Sequence, residues 1–295
     1  MSDNHNNDTS LRERWTARLS TTLLVLINGL ILSSAALAAP AEQDVRATLT
    51  YARAADLVIG SPAVATVEVR TATQLRPDRA PDLPPGRARF FVEADTTGLI
   101  RGNDVVAKRI GFLLDGPDDK TSRTRLRKRT FLIFGKVGPQ VDQFQLASST
   151  ALVDWSAANE ALVRKVISEI LAPDAPPVIT GISSAFHVPG AILGEGESQI
   201  FLDTSNGTPI SLSIIRRPDE QPQFSASLGE IVDNAASLPA PDTPLWYRLA
   251  CGLPDALPAR ALRGLEPVDA DRAQRDYHAF QQALAPCARA GHPVL

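Results

Sequence analysis

The chain has few of the residues that build metal centres or covalent cross-links. Its 295 residues include two cysteines, four histidines and one methionine, and aromatic residues make up 5%. Two cysteines are too few for a disulfide-dense scaffold or a four-cysteine zinc site. Of the histidines, His187, His278 and His292 lie far apart in the sequence, whereas metal sites usually draw two ligands from one short segment. We therefore predict no metal and no cofactor.

An excess of charge of either sign is also missing. Thirty basic residues stand against 33 acidic ones, which gives a net charge of -3 and a sequence pI near 5.8. This balance argues against a globally basic nucleic-acid binder, so we expect no nucleic-acid partner. Hydrophobic residues at 44% and charged residues at 21% are ordinary values for a globular protein, which predicts folded domains instead of a disordered chain.

A long apolar run is present only near the amino terminus. Arginines precede the run at residues 23–32, and small residues with an Ala36-Leu37-Ala38 pattern follow it. This layout is typical of a secretory signal peptide, which we predict over residues 1–38 with cleavage between Ala38 and Ala39. An uncleaved anchor is the alternative, although the run is shorter than the roughly 20 residues of a spanning helix. We expect a periplasmic or secreted protein that is not transmembrane after cleavage.

Export gives a meaning to the only two cysteines, Cys251 and Cys287. An oxidising compartment favours a disulfide between them. Their separation is far from the C-x-x-C spacing of a reactive pair, so we predict a structural disulfide. The chain-entropy estimate for such a loop is roughly 3.5–4 kcal/mol.

The first half of the mature chain is predicted to be β-rich. Residues 39–155 contain runs of β-branched residues, among them Leu57–Ile59 and Val64–Val69, separated by loops rich in glycine and proline. Five or so strands without an intervening helical period predict a small closed or nearly closed β-barrel of the OB type, and a two-sheet sandwich is the alternative.

The second half is predicted to mix strands and helices, so the expected fold class is α+β. A connecting amphipathic helix is predicted over residues 156–172, where apolar residues recur at helical spacing after Ser156. A second small β section is predicted over residues 178–235, with a hairpin at Asn206-Gly207. A helical tail that contains the disulfide is predicted over residues 243–295.

Common catalytic motifs are missing from the sequence. It contains no nucleophile elbow, zinc-protease helix, P-loop or dinucleotide fingerprint. The stretch Gly181–Ala185, followed by His187, comes nearest to a serine elbow, but the motif's second glycine is missing and we interpret it as a polar loop. A hydrolase with a non-contiguous site stays the alternative, and a cleft holding His187 near a serine and a carboxylate would favour it.

The most prominent charged cluster occupies every second position of one segment. Its members are Arg123, Arg125, Arg127 and Arg129. On an extended strand they would project to one side and bind phosphates or acidic polymers through forked hydrogen bonds. The alternative is a solubilising strand edge, since charge often protects such edges.

Three stretches, Leu57–Pro62, Gly194–Leu202 and Pro244–Cys251, resemble a family of uncharacterised exported proteins of alphaproteobacteria. The resemblance covers nearly the whole mature chain and implies export, but it implies no activity. We therefore expect a non-enzymatic cell-envelope module that binds an unknown envelope protein or an anionic surface. A periplasmic hydrolase and a structural subunit of an envelope complex are the alternatives.

Overall fold

The computed structural model describes residues 49–102, 106–119, 121–229 and 237–288. The predicted signal peptide and its cleavage position at Ala38 and Ala39 lie outside the described residues. The described residues all belong to one compact unit.

A helix occupies the segment where the sequence predicted the first strand. This helix, α1, spans Tyr51–Ile59, and the side chain of Thr50 caps it by accepting a hydrogen bond from the backbone nitrogen of Arg53. Tyr51, Ala54 and Val58 are buried at helical spacing. The strand prediction for Leu57–Ile59 was wrong because the spacing of apolar residues over the whole segment outweighs the local β-branched composition.

The first sheet has six antiparallel strands. They are β1 (Ala63–Gln74), β2 (Arg87–Arg101), β3 (Arg109–Pro117), β4 (Thr130–Val137), β5 (Phe144–Leu146) and β6 (Leu152–Asp154). The strand order is β3-β2-β1-β4-β5, with β6 also paired to β4. A five-residue helix, α2 (Ser122–Leu126), lies between β3 and β4.

One face of this sheet curls around its own core. Alternate residues of the strands point to that face. They include Val67, Val69, Phe90, Val92, Ile110, Phe112, Phe131 and Ile133. Among the described residues, β3 and β5 do not pair as neighbouring strands. The gap between them is bridged by two hydrogen bonds, from the backbone nitrogens of Ala107 and Gly111 to the carbonyl oxygens of Val141 and Asp142. The α+β class is confirmed, but a closed barrel is not formed.

The second sheet has four antiparallel strands in the order β10-β9-β8-β7. They are β7 (Ile179–Pro189), β8 (Gly196–Thr204), β9 (Ile210–Arg216) and β10 (Gln223–Leu228). The hairpin at Asn206-Gly207 is confirmed, with Gly207 at φ 79°, a value that glycine adopts without strain. The loop interpretation of Gly181–Ala185 was wrong, because these residues lie within β7.

Three more α-helices lie in the part of the chain that the structure describes: α3 (Ala157–Ile170), α4 (Pro244–Gly252) and α5 (Pro267–Ala283). Ser156 caps α3 and Thr243 caps α4, each by accepting a hydrogen bond from a first-turn backbone nitrogen. Helices α1, α3, α4 and α5 share a second core with the β7–β10 sheet and with Val64, Leu132 and Phe134 on the opposite face of the first sheet.

The predicted disulfide is confirmed. Cys251 and Cys287 are joined with an S–S distance of 2.12 Å and Cα atoms 5.3 Å apart. The bond ties the end of α4 to the chain that follows α5, and both cysteines pack against the second core. Within the described ranges, every helix is too short or too polar to cross a bilayer.

Candidate functional site

A groove with a cavity volume of about 610 Å³ lies on the outer face of β2 and β3. Strand alternation turns Arg89 and Phe91 to this face, because their neighbours Phe90 and Val92 enter the core. The antiparallel register places Phe91 opposite Leu113 and Arg89 opposite Asp115. The loop between β4 and β5 forms the second wall.

The floor of the groove is an exposed apolar platform. Phe91 is 41% exposed and Leu113 is 49% exposed, although both are large hydrophobic residues. The far end of the Phe91 ring lies over Gly111, where a Cβ atom would approach the ring to 2.7 Å. The glycine therefore allows the ring to lie close to the strand.

At one end of the groove, Arg89 and Asp115 form an ion pair joined by two hydrogen bonds. Arg89 donates from Nε to Oδ1 of Asp115 at 2.6 Å and from Nη2 to Oδ2 at 2.8 Å. The bond from Arg89 is the main reason why the pKa of Asp115 is lowered. Each charge is compensated by the other, so the pair offers orientation and polar contact without an excess charge.

Uncharged polar side chains line the opposite wall. They are Gln143, Gln145, Ser148 and Ser149, next to Gly138 and Pro139 of the β4–β5 loop. Amides and hydroxyls both donate and accept hydrogen bonds. An exposed aromatic ring facing such groups is suited to a ligand with apolar faces and many hydroxyl groups.

The predicted one-sided row of Arg123, Arg125, Arg127 and Arg129 does not form. Asp119 accepts hydrogen bonds from the backbone nitrogens of Thr121 and Ser122, which begins helix α2 where an extended strand was expected. Arg125 then bonds Asp119 at 2.6 Å. The side chain of Arg123 lies outside the described residues, and Arg127 is exposed.

Arg129, the last of these four arginines, contacts other side chains of the fold. It pairs with Asp154 and lies 5.2 Å from the centroid of the Phe131 ring. The helical backbone of α2 and the contacts of Arg129 with Asp154 and Phe131 therefore rule out a one-sided row of free arginines. Anion binding by the segment itself stays a prediction.

A buried polar cluster connects β7, β8, β9 and α5. Nδ1 of His187 lies 2.9 Å from Oγ of Ser198, and Ser198 donates to Asp276 at 2.5 Å. Asp276 also accepts a hydrogen bond from Arg216. The pKa of His187 is lowered, chiefly because burial disfavours the charged ring, while the carboxylate of Asp276 opposes this effect.

This cluster contains the residue types of a catalytic triad in a different order. In a triad the histidine lies between the serine and the acid, whereas here Ser198 lies between His187 and Asp276. The serine is fully buried and its hydroxyl hydrogen is already directed to the carboxylate. Ser183, from the elbow-like stretch, donates to the carbonyl of Phe201 instead. The geometry therefore does not provide an activated nucleophile.

The sequence does contain a signal for this cluster, but interpreting Gly181–Ala185 as a loop hides it. Once β7 is recognised as a strand, a short turn to β8 places His187 directly opposite Ser198. Asp276 precedes Tyr277 on the buried side of α5. The groove had no comparable signal, because the pairing of Phe91 with Leu113 depends on the register of β2 and β3, which local composition does not determine.

Within the part of the chain that the structure describes, no group of three histidine, cysteine or acidic side chains could hold a metal ion.

In comparison with known proteins, no family model matches the sequence and no curated protein matches it significantly.

Proposed function

We propose that the protein is an exported binding module of the cell envelope and that the groove on β2 and β3 binds a neutral carbohydrate chain. The observation that carries this proposal is the Phe91 ring, which is 41% exposed and is flanked by amide and hydroxyl side chains. The apolar face of a sugar ring can pack on an aromatic ring, while its hydroxyls bond to amides and carboxylates.

The arrangement of strands supports this location for a ligand. The sheet order is β3-β2-β1-β4-β5, and an isolated bridge between Gly111 and Gln143 connects its two ends. This order is consistent with the OB-type barrel that the sequence predicts. Barrels of this type bind oligosaccharides and oligonucleotides on the face of strands 2 and 3 and on the loop between strands 4 and 5. The groove occupies this face and this loop.

The charge of the groove favours a neutral ligand over a nucleic acid. A phosphate polymer is attracted by unpaired arginines and lysines. Arg89 lines the groove, but both of its bonds go to Asp115. The predicted signal peptide and the disulfide favour an extracytoplasmic location, where polysaccharides are abundant partners.

The proposal is tested by calorimetry of the purified protein with neutral hexasaccharides of glucose and of N-acetylglucosamine. We expect measurable binding that Phe91→Ala weakens by at least tenfold. Phe186→Ala is the matched control, since Phe186 is an exposed phenylalanine on β7, at 50%, and does not line the groove. Absence of binding to every neutral sugar, or equal affinities of the two variants, would overturn the proposal.

A further inference from the structure

The turn between β7 and β8 exposes apolar side chains that the fold does not use. Leu193 is 94% exposed and Ile192 is 62% exposed, and Val188 next to the turn is 65% exposed. Contiguous exposed apolar residues mark sites that contact another surface. Glu195 is the one acidic residue of the turn at positions 190–195.

A cationic cavity lies at the same end of this hairpin. Its volume is about 260 Å³, and its lining consists of His187, Arg216, Arg272, Arg275 and Asp276. Arg216 pairs with Asp276 and Arg275 pairs with Asp271. Among the described residues Arg272 forms no ion pair, so its guanidinium donors are available to a bound anion, while the carboxylate of Asp269 also lies near His187.

The buried histidine of this cavity has an unused polar atom. An ionised carboxylate can only accept hydrogen bonds, so the single hydroxyl hydrogen of Ser198 goes to Asp276, and Nδ1 of His187 donates to the serine oxygen. Nε2 is shielded from water and has no hydrogen-bond partner among the described residues. A buried polar atom without a partner requires an explanation, and a ligand hydroxyl in the cavity that donates to Nε2 would supply one.

The two features are close together along the strands. His187 pairs with Ser198, and the last pair before the turn is Pro189 with Gly196. Two residues of strand, roughly 7 Å, separate His187 from the base of the turn, and Ile192 and Leu193 lie beyond that base. The apolar turn and the cationic cavity can therefore contact one membrane surface at the same time.

We propose that this end of the β7–β8 hairpin docks on an anionic phospholipid membrane. Ile192 and Leu193 enter the boundary between headgroups and acyl chains, and the cavity binds a headgroup phosphate through the forked donors of Arg272. This inference is independent of carbohydrate binding by the groove.

Co-sedimentation with vesicles tests the docking. We expect binding to phosphatidylglycerol–phosphatidylethanolamine vesicles and at least tenfold weaker binding to phosphatidylcholine vesicles. The double variant Ile192→Ser, Leu193→Ser and the single variant Arg272→Gln should each lose at least fivefold in affinity. Val141→Ser, which changes a residue that is 57% exposed elsewhere, and Arg217→Gln, which changes a neighbour of Arg216 outside the cavity lining, should bind as the original protein does.

Inorganic phosphate separates a membrane site from a site for the free ion. In a thermal-shift titration we expect phosphate to raise the melting temperature of the original protein and of the turn variant, but not of Arg272→Gln. Phosphate binding without vesicle binding would overturn membrane docking, as would sedimentation that neither set of substitutions weakens. Circular dichroism of each variant shows whether a loss of binding reflects a loss of fold.

Discussion

The hydroxyl of Ser198 on β8 donates a 2.5 Å hydrogen bond to the carboxylate of Asp276 on α5, 78 residues later in the chain. Arg216 on β9 donates to the same carboxylate, and the Asp276 side chain is only 3% exposed. The carboxylate therefore accepts its hydrogen bonds from protein groups, whereas an exposed carboxylate would accept them from water. The helical tail is held to the second sheet by this polar contact as well as by apolar packing.

Asp276→Asn should lower the free energy of unfolding by about 1.5–3 kcal/mol, because the amide has only one acceptor oxygen, so one of the two charge-assisted hydrogen bonds is lost and the other is weakened. Urea titration followed by circular dichroism measures the change. Asp271→Asn is the matched control on the same helix, since Asp271 is 66% exposed in its pair with Arg275. It should cost less than about 1 kcal/mol, and equal losses in the two variants would contradict a stabilising role for the buried carboxylate.

Features that depend on a few neighbouring residues could be predicted from the sequence. The caps at Ser156 and Thr243 and the tight turn at Asn206-Gly207 each need only local hydrogen bonds or one backbone conformation. The disulfide followed from there being only two cysteines in the chain. Helix α1 could not be predicted from composition, because the two β-branched residues at its end favour a strand while the spacing of apolar residues over the whole segment favours a helix.

The candidate sites could not be assembled in the same way. His187 was noticed, but Ser198, Arg216 and Asp276 become its neighbours only through strand register and helix packing. Phe91 and Gly111 meet for the same reason. Such contacts join residues that are distant in sequence, and local composition does not determine which of them form.

Replacing both cysteines by serine should lower the free energy of unfolding by about 3–4 kcal/mol, since the bond closes a loop with a sequence separation of 36. Urea unfolding of the double variant, compared with the original protein in the presence and absence of reductant, measures this loss. Reductant should destabilise the original protein by a similar amount and leave the variant unchanged. A reductant effect on the variant would show that the loss does not come from the disulfide.

Gly111→Ala should weaken carbohydrate binding by roughly tenfold while changing the free energy of unfolding by less than about 1 kcal/mol. The added Cβ would lie 2.7 Å from the end of the Phe91 ring, and this exposed ring can move away at little cost. Its displacement would remove the platform of the groove. Gly98→Ala on the same sheet is the control, because a Cβ there meets only Thr66 at 3.9 Å. Calorimetry should show full affinity for Gly98→Ala, and full affinity for Gly111→Ala would show that the ring position does not matter.

The stability of the protein should fall between pH 7.5 and pH 5, and His187 should account for part of that fall. Burial lowers the pKa of His187 below the value of about 6.5 that it has in the unfolded chain. Below that pH the unfolded chain takes up a proton that the folded protein does not, so the stability contributed by the neutral ring is lost as the pH falls. Each unit by which the pKa is lowered adds about 1.4 kcal/mol to the loss.

The groups around the ring define the window of this measurement. His187 is near Asp276, Asp269, Arg272 and Arg216. Urea unfolding at several values between pH 7.5 and pH 5 spans the range in which the imidazole of an unfolded chain takes up its proton. His187→Asn should reduce the dependence on pH, whereas His278→Asn, at an exposed position of α5, should retain it. The same slope in both variants would show that another group is responsible.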